Sequence, residues 1–370
     1  MSMSEAPRPA AVASAFTVVP GAVIDERGLV HVAAPAREQR DLIAGRALAP
    51  LEDRVVVAVD GVDRLSWLDS ITSQALTALA PGTSTELLVL DPQGHVEHAA
   101  GVVDDGERTW LIVDRSRSAA LVTWLSRMRF RLRVEPQDLS EEVRVIGGTA
   151  QAVAALDPLA IWHDPWPAVG TGGWGYAPAD PHPGESYDWA EAIVPVDAAS
   201  RLAEAAASGD QPVAGWMAVD AVRVAAWRPR AATEADGRAL PHEADWLRTA
   251  VHLDKGCYRG QETVAKVHNL GHPPRRLVAL QLDGSDADLP VSGAEVFLGD
   301  EAVGAVTSVA RHFEEGPIAL AYVKRTVPVE ADLTVAVDEG RIAAAQEVIV
   351  PPDAGRTASI PRMPRLSRRR

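Results

Sequence analysis

Gly271-His272-Pro273-Pro274 divides this chain of 370 residues into two textures and constrains its fold more than any other stretch. Helices do not run through consecutive prolines, so the periodic segment before them must stop there. Beyond the break, LVALQL, AEVFLG, EAVGAVTSVA, PIALAYVKR, LTVAVD and RIAAAQEVIV alternate with Asp-Gly, Gly-Asp and Glu-Gly turns. That spacing predicts a small β-barrel or sandwich over residues 273–352.

Before the break, Arg54 to Gly148 reads β-α-β-β-β-α-β. Leu65, Leu68, Ile71, Ala75 and Leu79 mark one helix face, a second helix is expected near 118–128, and Asp104-Asp105-Gly106-Glu107 signals an exposed hairpin tip. RFRLRVEP alternates Phe130, Leu132 and Val134 with arginines, as a half-buried strand does. The order predicts an α+β layer, its helices covering one face of a mainly antiparallel sheet. Residues 157–189 read as a long irregular loop, 197–207 as a helix, and AGWMAVDAVRVAAW as a helix passing into a strand near Arg223. A chain this long buries more than one core. The expected division is an N-terminal extension (1–40), an α+β domain (41–150), a second α+β domain interleaved with it (151–272), the barrel (273–352) and a disordered arginine-rich tail (353–370).

Net charge is −15, which argues against broad binding to nucleic acid or anionic membrane, so an anionic ligand needs a local positive patch. One cysteine excludes an internal disulfide framework, and no uninterrupted run of about 20 apolar residues offers a membrane span. Together with an N-terminus lacking the features of a signal peptide, this reads as a cytoplasmic protein. Gly170-Thr171-Gly172-Gly173-Trp174-Gly175 matches a dinucleotide fingerprint but follows no strand and opens no helix, so it reads as loop. The histidines at 242, 252, 268 and 272 are scattered over loop and helix and make a poor zinc set; no metal site is expected.

Asp254-Lys255-Gly256-Cys257-Tyr258-Arg259-Gly260-Gln261-Glu262 holds the single cysteine between two cations and two glycines. A helix is expected to begin near Gly260, and cations and a helix N-terminus both favour a thiolate. A surface cysteine in a helix-capping turn is the alternative. From Asp254 to Arg276 five cations face two acids, a candidate anion seat.

KGCYRGQE resembles the K-G-C-Y-x-G-Q-E signature of the folate-binding YgfZ family, relatives of the glycine-cleavage T protein. LPHEADWL (240–247), Arg223, GAVTSVARHFEEGPIALAYVKR (304–325) and VDGVDRLSWLDSITSQAL (59–76) resemble further elements of that family. The resemblance implies a T-protein-like three-domain assembly, with ferredoxin-like α+β layers plus the C-terminal barrel, around a folate-sized opening. It also implies a tetrahydrofolate-binding accessory factor for assembly or repair of iron–sulfur proteins, whose partners are those proteins or their assembly factors. In that reading Cys257 is the functional thiol and Lys255 and Arg259 act with it at the catalytic site. Glu243 accepts hydrogen bonds from the pterin, Arg223 or Arg228 meets the glutamate tail, Trp246 or Tyr258 stacks on the ring, and Gln261 and Glu262 of the motif are further folate-binding residues. Two alternatives stand beside it: a folate-dependent one-carbon transferase, and a non-catalytic interaction module using the arginine tail. Two departures bear on the first of these: Glu97-His98 stands where the T protein carries two aspartates, and Ala226-Trp227 replaces the family's glycine-containing pair.

Overall fold

The computed structural model describes residues 14–284 and 289–358. In chain order the elements are β1 (Val23–Asp25), β2 (Gly28–His31), α1 (Pro35–Ile43), β3 (Ala49–Pro50), β4 (Arg54–Asp60), α2 (Arg64–Ile71), β5 (Ser84–Leu90), β6 (Val96–Asp104), β7 (Arg108–Asp114), α3 (Arg115–Met128), β8 (Glu135–Asp138) and β9 (Val143–Gly148). There follow α4 (Ala150–Ala154), β10 (Ala160–His163), β11 (Ala190–Pro195), α5 (Val196–Ser208), α6 (Trp216–Ala225), α7 (Ala231–Glu234) and α8 (Gln261–Leu270). The last six strands are β12 (Arg275–Leu282), β13 (Glu295–Leu298), β14 (Glu301–His312), β15 (Gly316–Lys324), β16 (Leu333–Val337) and β17 (Gly340–Val348).

The first sheet is antiparallel, in the order β5-β6-β7-β4-β8. Side chains alternate across a strand, so Val55, Val57, Val59, Leu87 and Val89 turn to one face. There they bury Trp67 and Leu68 of α2 with Leu121 and Leu125 of α3. Val56, Ala58, Trp110 and Ile112 turn to the other, against Trp162, Trp166 and Ile193 of the second unit. The second sheet, β10-β11-β9-β3, recruits β3 and β9 from within residues 41–150, so the chain crosses between the two units. Its outer face packs on α5 and on Phe16, Val19 and Leu29, which places part of the expected N-terminal extension in a core. The final six strands close into a barrel, β12-β15-β14-β13-β16-β17.

Three local expectations are corrected. Residues 129–133 form a turn rather than strand; Phe130 is 78% exposed, with a left-handed φ of 45°. Pairing with β4 is confined to Glu135–Asp138, while the Asp63 carboxylate accepts from the Arg133 backbone N–H and guanidinium. Helix α6 continues through Arg223 to Ala225 with no strand after it. Asp104 is not a solvated tip residue: it is 1% exposed and accepts bidentate hydrogen bonds from Arg64 at 2.8 and 2.7 Å. The tail reading falls largely on residues 359–370, outside the described residues. No helix among the described residues is long and apolar enough to cross a membrane.

Candidate functional site

Where the two sheets, the α6–α7 link and β6 meet, a small internal space of about 70 Å³ is lined by arginines, carboxylates and aromatic rings. It exists because β6 carries small residues on this face: Ala99 and Gly101 line it, and a Cβ on Gly101 would lie 2.7 Å from the Trp162 ring. Glu97 precedes them on β6, where the pairing with β5 shifts register.

The charged walls come from distant parts of the chain. Arg228 donates to Glu86 and Asp164, each at 2.9 Å, and its guanidinium lies 5.1 Å from the Trp166 ring centre. Arg230 holds Asp114 at 2.5 Å and Asp53 at 2.9 Å. Arg54 reaches Glu191 at 3.1 Å. Despite its burial, Asp114 is held down to about 2 by the positive fields of Arg230 and Arg54. Arg223 bonds Asp220 at 2.8 Å and, across to the barrel, Ser308 at 2.8 Å. A register shift between Val306 and Ser308 in β14 adjoins this contact. Trp227, at φ 57°, takes the left-handed conformation that glycine adopts most easily. The chain thereby ends α6 with the Arg228 N–H donating to the Arg223 carbonyl at 2.9 Å.

Two donors in this network lack partners. Arg228 Nη1 and Arg54 Nε are buried with no acceptor, a costly arrangement unless a ligand or water accepts from them. Arg228 itself is 7% exposed.

Cys257 occupies a second place, before α8. Gly260, at φ 83°, caps α8 and packs so tightly on the β5–β6 turn that a Cβ would lie 2.6 Å from the Asp91 carbonyl. Tyr258 N–H donates to Gln261 Oε1 at 3.0 Å, closing the turn. The thiol is exposed, as is Glu262. Its two cations are engaged elsewhere. Lys255 Nζ donates to the carbonyls of Asp69 in the last turn of α2 and of Thr72 and Gln74 just beyond it, with 2% of its side chain exposed. Arg259 pairs with Glu97 at 2.7 Å, tying the cysteine motif to the strand that lines the central space. Burial raises the Tyr258 phenol to about 12.

The remaining sequence candidates form a support between motif and barrel. Glu243 is fully buried, accepting from the Leu240 N–H at 3.1 Å and from Arg275 Nη2 at 2.8 Å, so its carboxylate fixes the start of β12. Trp246 is a core residue, 0% exposed. Of the candidate residues, Arg223 and Arg228 border the central space, whereas Lys255, Tyr258, Arg259, Gln261 and Glu262 gather at the start of α8. Arg54, Glu86, Asp114, Asp164, Glu191 and Arg230 carry no local motif. A charge inside the apolar run of β5 at Glu86 is the one signal that could have marked them. Among the described residues no group of three or more His, Cys, Asp or Glu is placed to hold a metal.

Asp245, left-handed at φ 56° and fully buried, is raised to about 7 by burial, the Tyr176 N–H opposing the shift. A carboxyl raised in the folded state stabilises below its unfolded pKa, and that contribution is lost as pH rises through about 7. Asp245→Asn mimics the protonated form, so its stability relative to the parent should improve by roughly 2 kcal/mol between pH 5 and pH 8. Urea unfolding at both pH values checks the sign.

Two sheet units with an ion-lined space between them, joined through Arg223 and Ser308 to a closed six-stranded barrel, define an aminomethyltransferase-type fold. The protein aligns with the crystal structure of glycine cleavage system aminomethyltransferase T from Bartonella henselae at a TM-score of 0.66, covering 86% of this chain and 89% of that one at 19% identity. Residues 275–352 match the glycine cleavage T-protein C-terminal barrel domain. In sequence, the chain is 28% identical over 290 residues to an aminomethyltransferase of Rippkaea orientalis, covering 73% of this chain and 76% of that protein. It is 27% identical over 257 residues to the mitochondrial iron–sulfur cluster assembly factor IBA57 homolog of Mycosarcoma maydis, covering 63% of this chain and 56% of that protein.

Proposed function

We propose that the protein is a tetrahydrofolate-binding accessory factor for the assembly or repair of iron–sulfur proteins, with Cys257 as the residue that meets the partner. The observation that carries this reading is the separation of an exposed thiol from an arginine-lined central space, with the Arg259–Glu97 pair tying the cysteine motif to β6. Similarity to an iron–sulfur assembly factor supports the same direction.

The central residues fit a pterin in chemistry. Arg228 Nη1 is an unpaired buried donor that would serve the pterin carbonyl, while Trp162, Tyr187 and Trp189 supply aromatic walls. Bound tetrahydrofolate would supply a one-carbon-accepting nitrogen. The space is well below the roughly 300–1,000 Å³ of ordinary ligand sites, so admission of a ring requires these side chains to shift. A single thiolate cannot hold a cluster by itself; further ligands must come from the partner, and an exposed cysteine suits that exchange.

One-carbon transfer is the weaker reading. It needs a free acid or base near the reacting nitrogen, and Glu97, the nominated residue, is bound to Arg259. Calorimetric titration with tetrahydrofolate should give saturable binding that Ala99→Leu, which fills the space from β6, abolishes at unchanged Tm. Cys257→Ser should retain binding yet fail to restore the activity of an iron–sulfur dehydratase in cells lacking the protein. Absence of binding, or full restoration by the serine variant, overturns the proposal.

A further inference from the structure

On the far side of Leu51 from the central space lies a separate pocket of about 190 Å³, bounded by residues 15–16, the β3–β4 turn, β9 and the start of α5. Phe16, Leu51, Val145, Val196 and Ala199 make its walls apolar. Two guanidinium groups border it from different elements, Arg115 at the head of α3 and Arg144 in β9.

Each arginine is held by the protein through one nitrogen. Arg115 donates through Nε to the Glu52 carbonyl at 2.8 Å, and Arg144 through Nη1 to the carbonyls of Ser140 and Val143 at 2.6 and 2.8 Å. Their other N–H groups have no protein acceptor among the described residues, and neither guanidinium forms a salt bridge there. Burial lowers the Arg115 pKa and the neighbouring Arg144 charge lowers it further, against the opposing fields of Asp53, Glu52 and Asp138. The one carboxylate on the wall, Glu52, accepts through Oε2 from Ser14 Oγ and the Leu29 N–H, both at 2.9 Å. Nearby Asp53 is engaged by Arg27 and Arg230.

We propose that this pocket binds a small organic monoanion: a carboxylic acid whose carboxylate lies between Arg115 and Arg144 and whose compact apolar body rests on Phe16 and Val145. Planar guanidinium groups suit a carboxylate, each offering paired N–H donors. Among the residues that line the pocket, two arginines and Glu52 leave one cation in excess, which a monoanion neutralises and a doubly charged phosphate exceeds; Asp53 and Asp138 act on Arg115 from outside the wall. The apolar walls reward a hydrocarbon body over a bare inorganic ion. At about 190 Å³ the space falls short of the roughly 300 Å³ at the lower end of drug-sized sites, which limits the ligand to about one substituted ring.

Benzoate is the probe, titrated calorimetrically into the whole chain beside benzamide, its neutral counterpart, and inorganic phosphate. Benzoate should bind saturably, with benzamide at least roughly tenfold weaker, the loss expected for a charge-assisted contact. Arg144→Gln, at a half-exposed position, should weaken benzoate by a similar factor while leaving benzamide unchanged. Ala199→Phe should fill the pocket and abolish binding; if that variant fails to fold, Arg144→Gln decides alone. Equal binding of benzoate and benzamide, benzoate affinity unchanged in Arg144→Gln, tighter binding of phosphate, or no benzoate binding each overturns the proposal.

Discussion

Replacing Arg228 with leucine is expected to lower stability by about 3–5 kcal/mol at pH 8. The guanidinium is 7% exposed and is the cation shared by Glu86 and Asp164. Its removal leaves two buried carboxylates facing each other without their arginine. Breaking one partner out of a buried pair costs more than the pair contributes, because the remaining charge must be desolvated alone. Burial and the Glu86 charge already push Asp164 upward in the parent, against the pull of Arg228. Without that pull, the folded pKa of Asp164 rises further above the unfolded value. Asp164 should then take up a proton on folding, so the deficit of the variant shrinks as pH falls from 8 toward 5. Arg228→Lys keeps a charge but not the two-armed geometry and should lose only about 1–2 kcal/mol. Urea unfolding of the three proteins at pH 8 and pH 5.5 reads both effects. A leucine variant less than 1 kcal/mol below the parent at pH 8 would mean that water reaches and solvates these carboxylates.

The same network shows why the motif was legible in the sequence and the centre was not. The first sheet, the barrel and the start of α8 are written in local patterns: period-two strands, Gly-containing turns, and a helix opening after Gly260. Central contacts join residues far apart in the chain, with Arg228 and Glu86 separated by 142 positions and Arg54 and Glu191 by 137. No window of sequence contains both halves of such a pair. Where local pattern and tertiary contact disagreed, tertiary contact prevailed. Alternation over Phe130–Val134 signals a strand, yet the Gly61 backbone packs so closely that a Cβ would lie 2.0 Å from the Arg133 carbonyl, and Asp63 takes the Arg133 N–H. Pairing therefore starts only at Glu135.

Lys255 carries the same lesson into the second prediction. Adjacency in sequence makes it a partner for the Cys257 thiolate, whereas its ammonium points to three backbone carbonyls of residues 69–74 and lies 5.2 Å from the Tyr258 ring centre. Its work in this geometry is to tie the cysteine loop to the end of α2, with Asp69 at 3.5 Å completing the charge. Lys255→Met keeps the stem and removes the head, leaving those carbonyls without their donor, and should cost about 3 kcal/mol. The thiol, already exposed, should react with iodoacetamide at pH 7 within about twofold of the parent rate, because the lost ammonium is engaged by backbone carbonyls. A tenfold slower alkylation with unchanged stability would reverse the assignment and return Lys255 to the thiolate. A large stability loss with the alkylation rate preserved makes it the anchor of the loop, and leaves partner exchange at Cys257 to the geometry of the Gly260 turn and the Arg259–Glu97 pair.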